Sequence, residues 1–292
     1  MKLIRFGGPG KEKPGLLLSD GRRVDASAFG SDYDEQFFEQ DGVARLESWA
    51  RANAANAPRI DPAVRLGSPI ARPSKIICIG MNYRDHAAET GASVPAEPVL
   101  FFKSTTSLVG PNDPVVIPRG AHKLDWEVEL AVVVGARASY ISKEDVVSHI
   151  AGYALHNDYS ERTFQFDCGG QWVKGKSADT FAPLGPFLAT RDEISNPSNL
   201  PMWLKVNGET RQKSTTANMI FDVATLVSYI SQFMTLLPGD VISTGTPAGV
   251  GFGMKPPKYL QAHDVVELGI EGLGESRQQV VAWGPSTAST PA

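Results

Sequence analysis

Trp126-Glu127-Val128-Glu129-Leu130-Ala131-Val132-Val133-Val134-Gly135 is the stretch on which the fold reading turns. Val128, Leu130, Val132 and Val134 alternate with Glu127, Glu129, Ala131 and Val133, and the second half is apolar throughout, as in a core strand. Alternate residues of a strand share a face, so Glu127 and Glu129 point the same way. Two anions a few ångströms apart beside a core strand repel and lose hydration unless a cation compensates them. A solvated strand face would carry the same pair with no function, and the pattern alone leaves both readings standing.

Further short strands are predicted on either side: 75–79 and 99–102 before it, 153–158, 264–268 and 279–281 after it. Val206-Asn207-Gly208-Glu209 holds a two-residue hairpin signal. The clearest helix follows Asp222, a predicted N-cap. Val223, Leu226, Val227, Ile230, Phe233, Met234 and Leu237 fall on one face of it, and Pro238-Gly239 stops it. Strands and helices do not alternate regularly, so the expected fold is α+β and β-rich rather than a doubly wound sheet. The first 70 residues read as a small separate domain. Strand-like runs at 3–6 and 15–18, an Asp20-Gly21 turn, and a helix marked by Val43, Leu46, Ala50 and Ala54 precede Pro58, Pro62, Pro69 and Pro73. The main domain is placed at 71–283 and a disordered tail at 284–292.

The whole chain has 292 residues, enough for one large or two unequal domains, and its 28 basic against 32 acidic residues imply no surface for nucleic acid. Cys78 and Cys168 make no disulfide framework and no zinc motif. The longest uncharged stretch, Val223 to Gly239, is polar in places and shorter than a membrane span of about 20 residues. With no signal-peptide pattern at Met1, the expected location is cytoplasmic. Gly170-Gln171-Trp172-Val173-Lys174-Gly175-Lys176-Ser177 fits the phosphate-loop pattern. No apolar strand precedes it, and Ala178 to Pro186 cannot sustain a helix after it, so a nucleotide binder is the weaker alternative. Gly249-Val250-Gly251-Phe252-Gly253 reads as a glycine turn.

A third carboxylate shifts the balance at Glu127 and Glu129. Tyr153-Ala154-Leu155-His156-Asn157-Asp158 is a strand ending in an acid. Three carboxylates without cysteine suit a hard cation such as Mg2+, Mn2+ or Ca2+. In Gly80-Met81-Asn82-Tyr83-Arg84-Asp85-His86-Ala87-Ala88-Glu89, His86 and Glu89 are neighbours on one helical face. A carboxylate orienting an imidazole is suited to activating water, although a surface ion pair would look the same.

Gly80-x-Asn82-Tyr83-x-x-His86-x-x-Glu89, Glu97-Pro98-x-x-Phe101-x-Lys103, Trp126-Glu127-x-Glu129-Leu130, Asp158, Lys176-Ser177, Val206-Asn207-Gly208 and Thr244-Gly245-Thr246-Pro247-x-Gly249-Val250-Gly251 occur in that order. Together they resemble the fumarylacetoacetate hydrolase family, in particular its acylpyruvate hydrolase branch, over about residues 70–283. The resemblance implies a mixed β-sandwich roll with a small N-terminal α/β domain, commonly as a homodimer. It implies Mg2+ or Mn2+ held by Glu127, Glu129 and Asp158, catalysis by His86, Glu89 and Lys176, and substrate contacts at Arg162, Gln165 and Thr246. Lys103 matches a recurrent family lysine that would pair with the carboxylates. The implied reaction is hydrolysis of the C3–C4 bond of a 2,4-dioxo acid, with His86 taking a proton from water. Within the branch, 2,4-diketo-3-deoxy-L-rhamnonate or -fuconate, giving pyruvate and lactate, is the favoured substrate. Ureidoglycolate lyase and oxaloacetate decarboxylase are alternatives, and a non-catalytic metal-binding protein is an alternative of another class.

Overall fold

The computed structural model describes residues 1–91 and 93–284. Two sheets dominate it, and the α+β, β-rich expectation holds. The ten-stranded sheet runs, from one edge, Arg23–Asp25, Lys13–Leu17, Lys2–Phe6, Leu188–Thr190, Ile150–Asn157, Val128–Val134, Val241–Ser243, Ile76–Gly80 and Val99–Lys103, with Leu66–Gly67 paired onto Lys2–Phe6. Only Val241–Ser243 and Ile76–Gly80 pair in parallel in that sheet. The five-stranded sheet runs Glu209–Thr215, Pro201–Val206, Val265–Ile270, Gly274–Ala282 and Val115–Ile117.

Val128–Val134 lies in the middle of the larger sheet and is covered on both faces. Val128, Leu130, Val132 and Val134 pack into a core shared with Leu204, Val266, Leu268 and Val280 of the second sheet. Ala131 and Val133 pack on the opposite side with Cys78, Leu3, Phe37 and Leu46. Period two therefore puts Glu127 and Glu129 on that second face, at its open end. They are 5% and 1% exposed, which rules out the solvated-face reading.

The N-terminal strands do not stand apart from this sheet. Lys2–Phe6 pairs with Leu188–Thr190, and Leu3, Leu16, Phe37 and Leu46 share a core with Cys78 and Val133. The proline-rich stretch is not uniformly extended: it turns at 62–63, where the Val64 amide donates to the Asp61 carbonyl, and forms the two-residue strand Leu66–Gly67. Asn207 and Gly208 both have positive φ, as the tight hairpin between Pro201–Val206 and Glu209–Thr215 demands.

The helix after Asp222 is shorter than its periodicity predicts. Asp222 caps it by accepting from the Thr225 amide at 2.8 Å, but it ends at Ser231. Beyond that point the chain bridges Leu236 to Ala138, so the helical period no longer applies. Phe233, expected on the core face, is 63% exposed, and Leu236 rather than Leu237 is buried. The tail expected at 284–292 lies, apart from Gly284, outside the described residues. No helix among the described residues is long and apolar enough to cross a membrane.

Candidate metal centre and its cavity

Glu127 and Glu129 come from the start of the central strand, and Asp158 from the end of its antiparallel neighbour Ile150–Asn157. The Asp158 amide donates to the Glu127 carbonyl at 2.9 Å, so the strand pairing carries on one step to where the acids meet. One oxygen from each carboxylate lies within 4.8 Å of the other two, and all three residues are buried. Glu129 is pinned on one side. Ser243 Oγ donates to its Oε2 at 2.5 Å and the Gly245 amide at 2.9 Å, while Oε1 takes no hydrogen bond among the described residues.

Three cations reach the cluster from other segments. Lys103 Nζ is 2.5 Å from Asp158 Oδ1. Lys176 Nζ bridges Glu127 Oε2 at 2.6 Å and Asp158 Oδ2 at 2.8 Å. Arg162 donates from Nη2 to Glu127 Oε1 at 2.7 Å, from Nε to Asp125 Oδ2 at 2.9 Å, and from Nη1 to Gln165 Oε1 at 3.0 Å. Burial opposes the charge on Lys176, but Asp158 and Glu127 outweigh it, so the ammonium is held protonated. Burial likewise works against ionised Asp158, and Lys103 and Lys176 more than reverse it. At Glu129 burial dominates, Asp158 and Glu127 add to it, and the carboxyl is pushed well above the usual range.

These residues fit a divalent cation. Four buried carboxylates, counting Asp125, face three cations, and one oxygen of Glu129 remains unbonded beside the cavity. An all-oxygen donor set is the chemistry that Mg2+ and Mn2+ select.

His86 lies on the short helix Arg84–Thr90, which follows Ile76–Gly80. Its Nδ1 is 3.2 Å from Glu89 Oε2, so the tautomer protonated at Nδ1 donates to Glu89 and makes Nε2 the basic nitrogen. Glu89 Oε1 accepts from the Gly249 amide at 3.0 Å. Two further amides of that glycine turn, Gly251 and Phe252, donate to Asp125 at 2.7 and 2.9 Å. A Cβ at Gly253 would stand 2.6 Å from the Glu89 carboxyl carbon, so a side chain there would push the carboxylate out of this position.

His86, Glu127, Glu129, Arg162, Gln165, Lys176 and Thr246 all line one cavity of about 180 Å³. Gln165 is buried with its amide nitrogen unbonded among the described residues, whereas the Thr246 hydroxyl is engaged twice, donating to the Val128 carbonyl at 3.0 Å and accepting from Gln212 at 2.8 Å. Lys103 and Asp158 stand behind the cavity wall. The phosphate-loop geometry is not formed. Helix Arg162–Phe166 occupies the place of the strand, the following helix is only Val173–Lys176, and Lys176 turns to the carboxylates.

Two supporting residues escaped the sequence reading. Ser243 links Glu129 to His156, whose Nδ1 is 2.7 Å from Ser243 Oγ, and Asp125 ties Arg162 to the glycine turn. Ser243 immediately precedes Thr244-Gly245-Thr246, but a serine in an apolar strand carries no signal of its own.

Residues 75–281 match the family model described as fumarylacetoacetate (FAA) hydrolase, C-terminal. A Burkholderia multivorans relative, which bears a provisional hydrolase name, is 50% identical over 95% of this chain and 98% of its own length. The structure is similar to fumarylacetoacetate hydrolase from psychrophilic Exiguobacterium antarcticum, with a TM-score of 0.83 and 38% identity over 97% of this chain and 100% of that one. It is also similar to maleylpyruvate hydrolase from Sphingobium sp. SYK-6 in complex with manganese(II) and pyruvate, with a TM-score of 0.80 and 29% identity over 97% and 100% of the two chains.

Proposed function

The chain belongs to the fumarylacetoacetate hydrolase family, and from that premise we propose that it hydrolyses the C3–C4 bond of a 2,4-dioxo acid of the acylpyruvate type, releasing pyruvate and a carboxylic acid. The observation that carries this reading is a cluster of three buried carboxylates, two of which line one small cavity together with an oriented histidine. The manganese and pyruvate named with the Sphingobium maleylpyruvate hydrolase support it.

Glu127, Glu129 and Asp158 would hold Mg2+ or Mn2+. When bound, that ion supplies Lewis-acid polarisation of the oxygens at the pyruvoyl end of the substrate. The residues of the chain do the rest. Lys176 and Arg162 keep positive charge against Glu127, and Lys176 offers that charge to substrate oxygens as they become more negative. The free amide nitrogen of Gln165 donates to a substrate oxygen. Lys176 stays protonated, which leaves His86 as the proton acceptor in the cavity. Oriented by Glu89, His86 takes a proton from water while the oxygen attacks C4. The C3–C4 bond then breaks, its electron pair leaves with C3, and C3 takes up a proton to complete pyruvate.

A lactoyl-bearing 2,4-diketo-3-deoxy sugar acid presents the same pyruvoyl head and enters this reading as one candidate. Oxaloacetate decarboxylation would use the head-binding residues without any attacking water. The test is pyruvate release from acylpyruvates, 2,4-diketo-3-deoxyrhamnonate and oxaloacetate, with Mg2+ and with EDTA. Turnover of a 2,4-dioxo acid that EDTA abolishes is the expected result, and no turnover across the panel overturns the reading.

A further inference from the structure

The carboxylate floor receives the pyruvoyl end of a substrate, so the acyl end must lie toward the mouth of the cavity. That mouth is aromatic. Phe101 and Trp172 meet edge to face at 5.3 Å, Trp172 and Phe166 at 6.2 Å, and Phe166 and Phe252 stack at a tilt at 5.4 Å. Phe166 and Phe252 are 40% and 44% exposed, so apolar ring surface stands open at the entrance, with the Arg162 guanidinium 5.9 Å from the Phe252 ring centre. Trp172 is held in place from below: a Cβ on Gly80 would meet its ring at 2.5 Å, so the indole rests on bare backbone. These rings and the carboxylate floor line the same cavity of about 180 Å³, so a head group seated on the carboxylates leaves the acyl chain against the rings.

The charges on the wall point the same way. All three nitrogens of the Arg162 guanidinium are engaged, on Asp125, Glu127 and Gln165. Lys176 is held by Glu127 and Asp158, and His86 by Glu89. Each lysine and arginine lining the cavity among the described residues, Lys176 and Arg162, already faces two buried carboxylates. An anion brought there would lose hydration without a partner.

We propose, resting on the acylpyruvate reading, that the acyl half of the substrate is uncharged and apolar, seated against Phe166, Trp172 and Phe252, and that this mouth rejects substrates ending in a second carboxylate. The lactoyl group of a sugar acid, short and hydroxylated, gains little from these rings and ranks below an alkyl or aryl acyl group.

The experiment has two arms, both on the Mg2+-loaded protein. In the first, kcat/KM is measured for acetyl-, butanoyl-, benzoyl- and 3-carboxypropanoyl-pyruvate and for 2,4-diketo-3-deoxyrhamnonate. Butanoyl- and benzoylpyruvate are expected at least tenfold above acetylpyruvate, at roughly fourfold for each methylene covered, with the carboxylate-ended compound at least tenfold below butanoylpyruvate. Phe252→Lys, which adds a cation at an exposed rim position, is expected to narrow that last ratio. In the second arm, phenylpyruvate and 2-oxoglutarate, which share a 2-oxo acid head and differ in the tail, are titrated by calorimetry. Phenylpyruvate is expected to bind at least tenfold more tightly. Equal or reversed preference in either arm overturns the apolar-acyl proposal and leaves the hydrolase reading standing. If no dioxo acid is turned over, the hydrolase reading falls, and the binding arm alone decides the character of the mouth.

Discussion

Lys176 Nζ stands 2.6 Å from Glu127 Oε2, so a lysine already holds one of the carboxylates grouped for a divalent cation. It stabilises the carboxylates when the cation is away and competes with the cation for them. Lys176→Met is therefore expected to destabilise the metal-free protein by about 3–5 kcal/mol, the usual cost of leaving a buried charge without its partner. Mg2+ should raise the unfolding midpoint of the variant more than that of the parent. Unfolding curves in EDTA and in Mg2+ check both points, and an unchanged midpoint in EDTA would contradict the bridging role.

His86→Ala is expected to lower kcat for dioxo-acid hydrolysis by about 10²–10⁴, the usual contribution of a general base. Mg2+ affinity, measured by calorimetry, should be unchanged, because the described partner of the His86 ring is Glu89 and not one of the three carboxylates. Any oxaloacetate decarboxylation should survive, since that reaction needs no activated water. Unimpaired hydrolysis in the variant would remove His86 from its role.

Ser243→Ala takes away one of the two hydrogen bonds that orient Glu129. Outer-shell partners of this kind are typically worth about 10–100-fold in metal affinity. The expected result is Mg2+ binding weakened by that range, with the fold intact by circular dichroism. An affinity within twofold of the parent would show that the Gly245 amide alone suffices.

Metal binding should rise with pH. Burial, with Asp158 and Glu127 beside it, keeps a proton on Glu129 above the usual carboxylate range in the metal-free protein. A cation must displace that proton, so affinity is lowest in acid and grows as pH climbs through the raised value. Calorimetry in two buffers of different ionisation enthalpy will report proton release near neutral pH, or its absence.

His156 acts on stability rather than on metal binding, and in the same sense with pH. Burial, helped by Lys103 and Lys176 against the pull of Asp158, pushes its imidazole down to about 3. Between that value and the ordinary 6.5 the unfolded chain binds a proton that the folded one refuses, so stability is lost as pH falls through this window. The contribution is up to about 1.4 kcal/mol per pH unit. His156→Asn should flatten the slope of unfolding free energy against pH between 6.5 and 4, and an unaltered slope would assign the acid sensitivity to other groups.

The elements that follow from local pattern were legible in the chain itself. Alternation placed Glu127 and Glu129 on one face, the i, i+3 spacing joined His86 to Glu89, and Asp222 announced its helix. Alternation cannot say whether a face is covered, however. The face bearing Glu127 and Glu129 is closed by Cys78, Phe101 and Trp172 from other segments, and nothing in 126–135 foretells that. Phe233 was misplaced for a related reason: the pull of Leu236 onto Ala138 ended the helix, a force exerted from nearly a hundred residues upstream. The aromatic mouth draws on three separate stretches of chain, which is why no spacing disclosed it.

The glycine turn at 249–253 has its amides on both Glu89 and Asp125. One acid aims the imidazole and the other aims the Arg162 guanidinium, so a single five-residue loop carries the alignment of both. Heredity would treat the water-activating half and the anion-holding half of the site as one trait. A substitution in the loop cannot refine one without disturbing the other, and variation in substrate choice has its freer ground at the rings of the mouth.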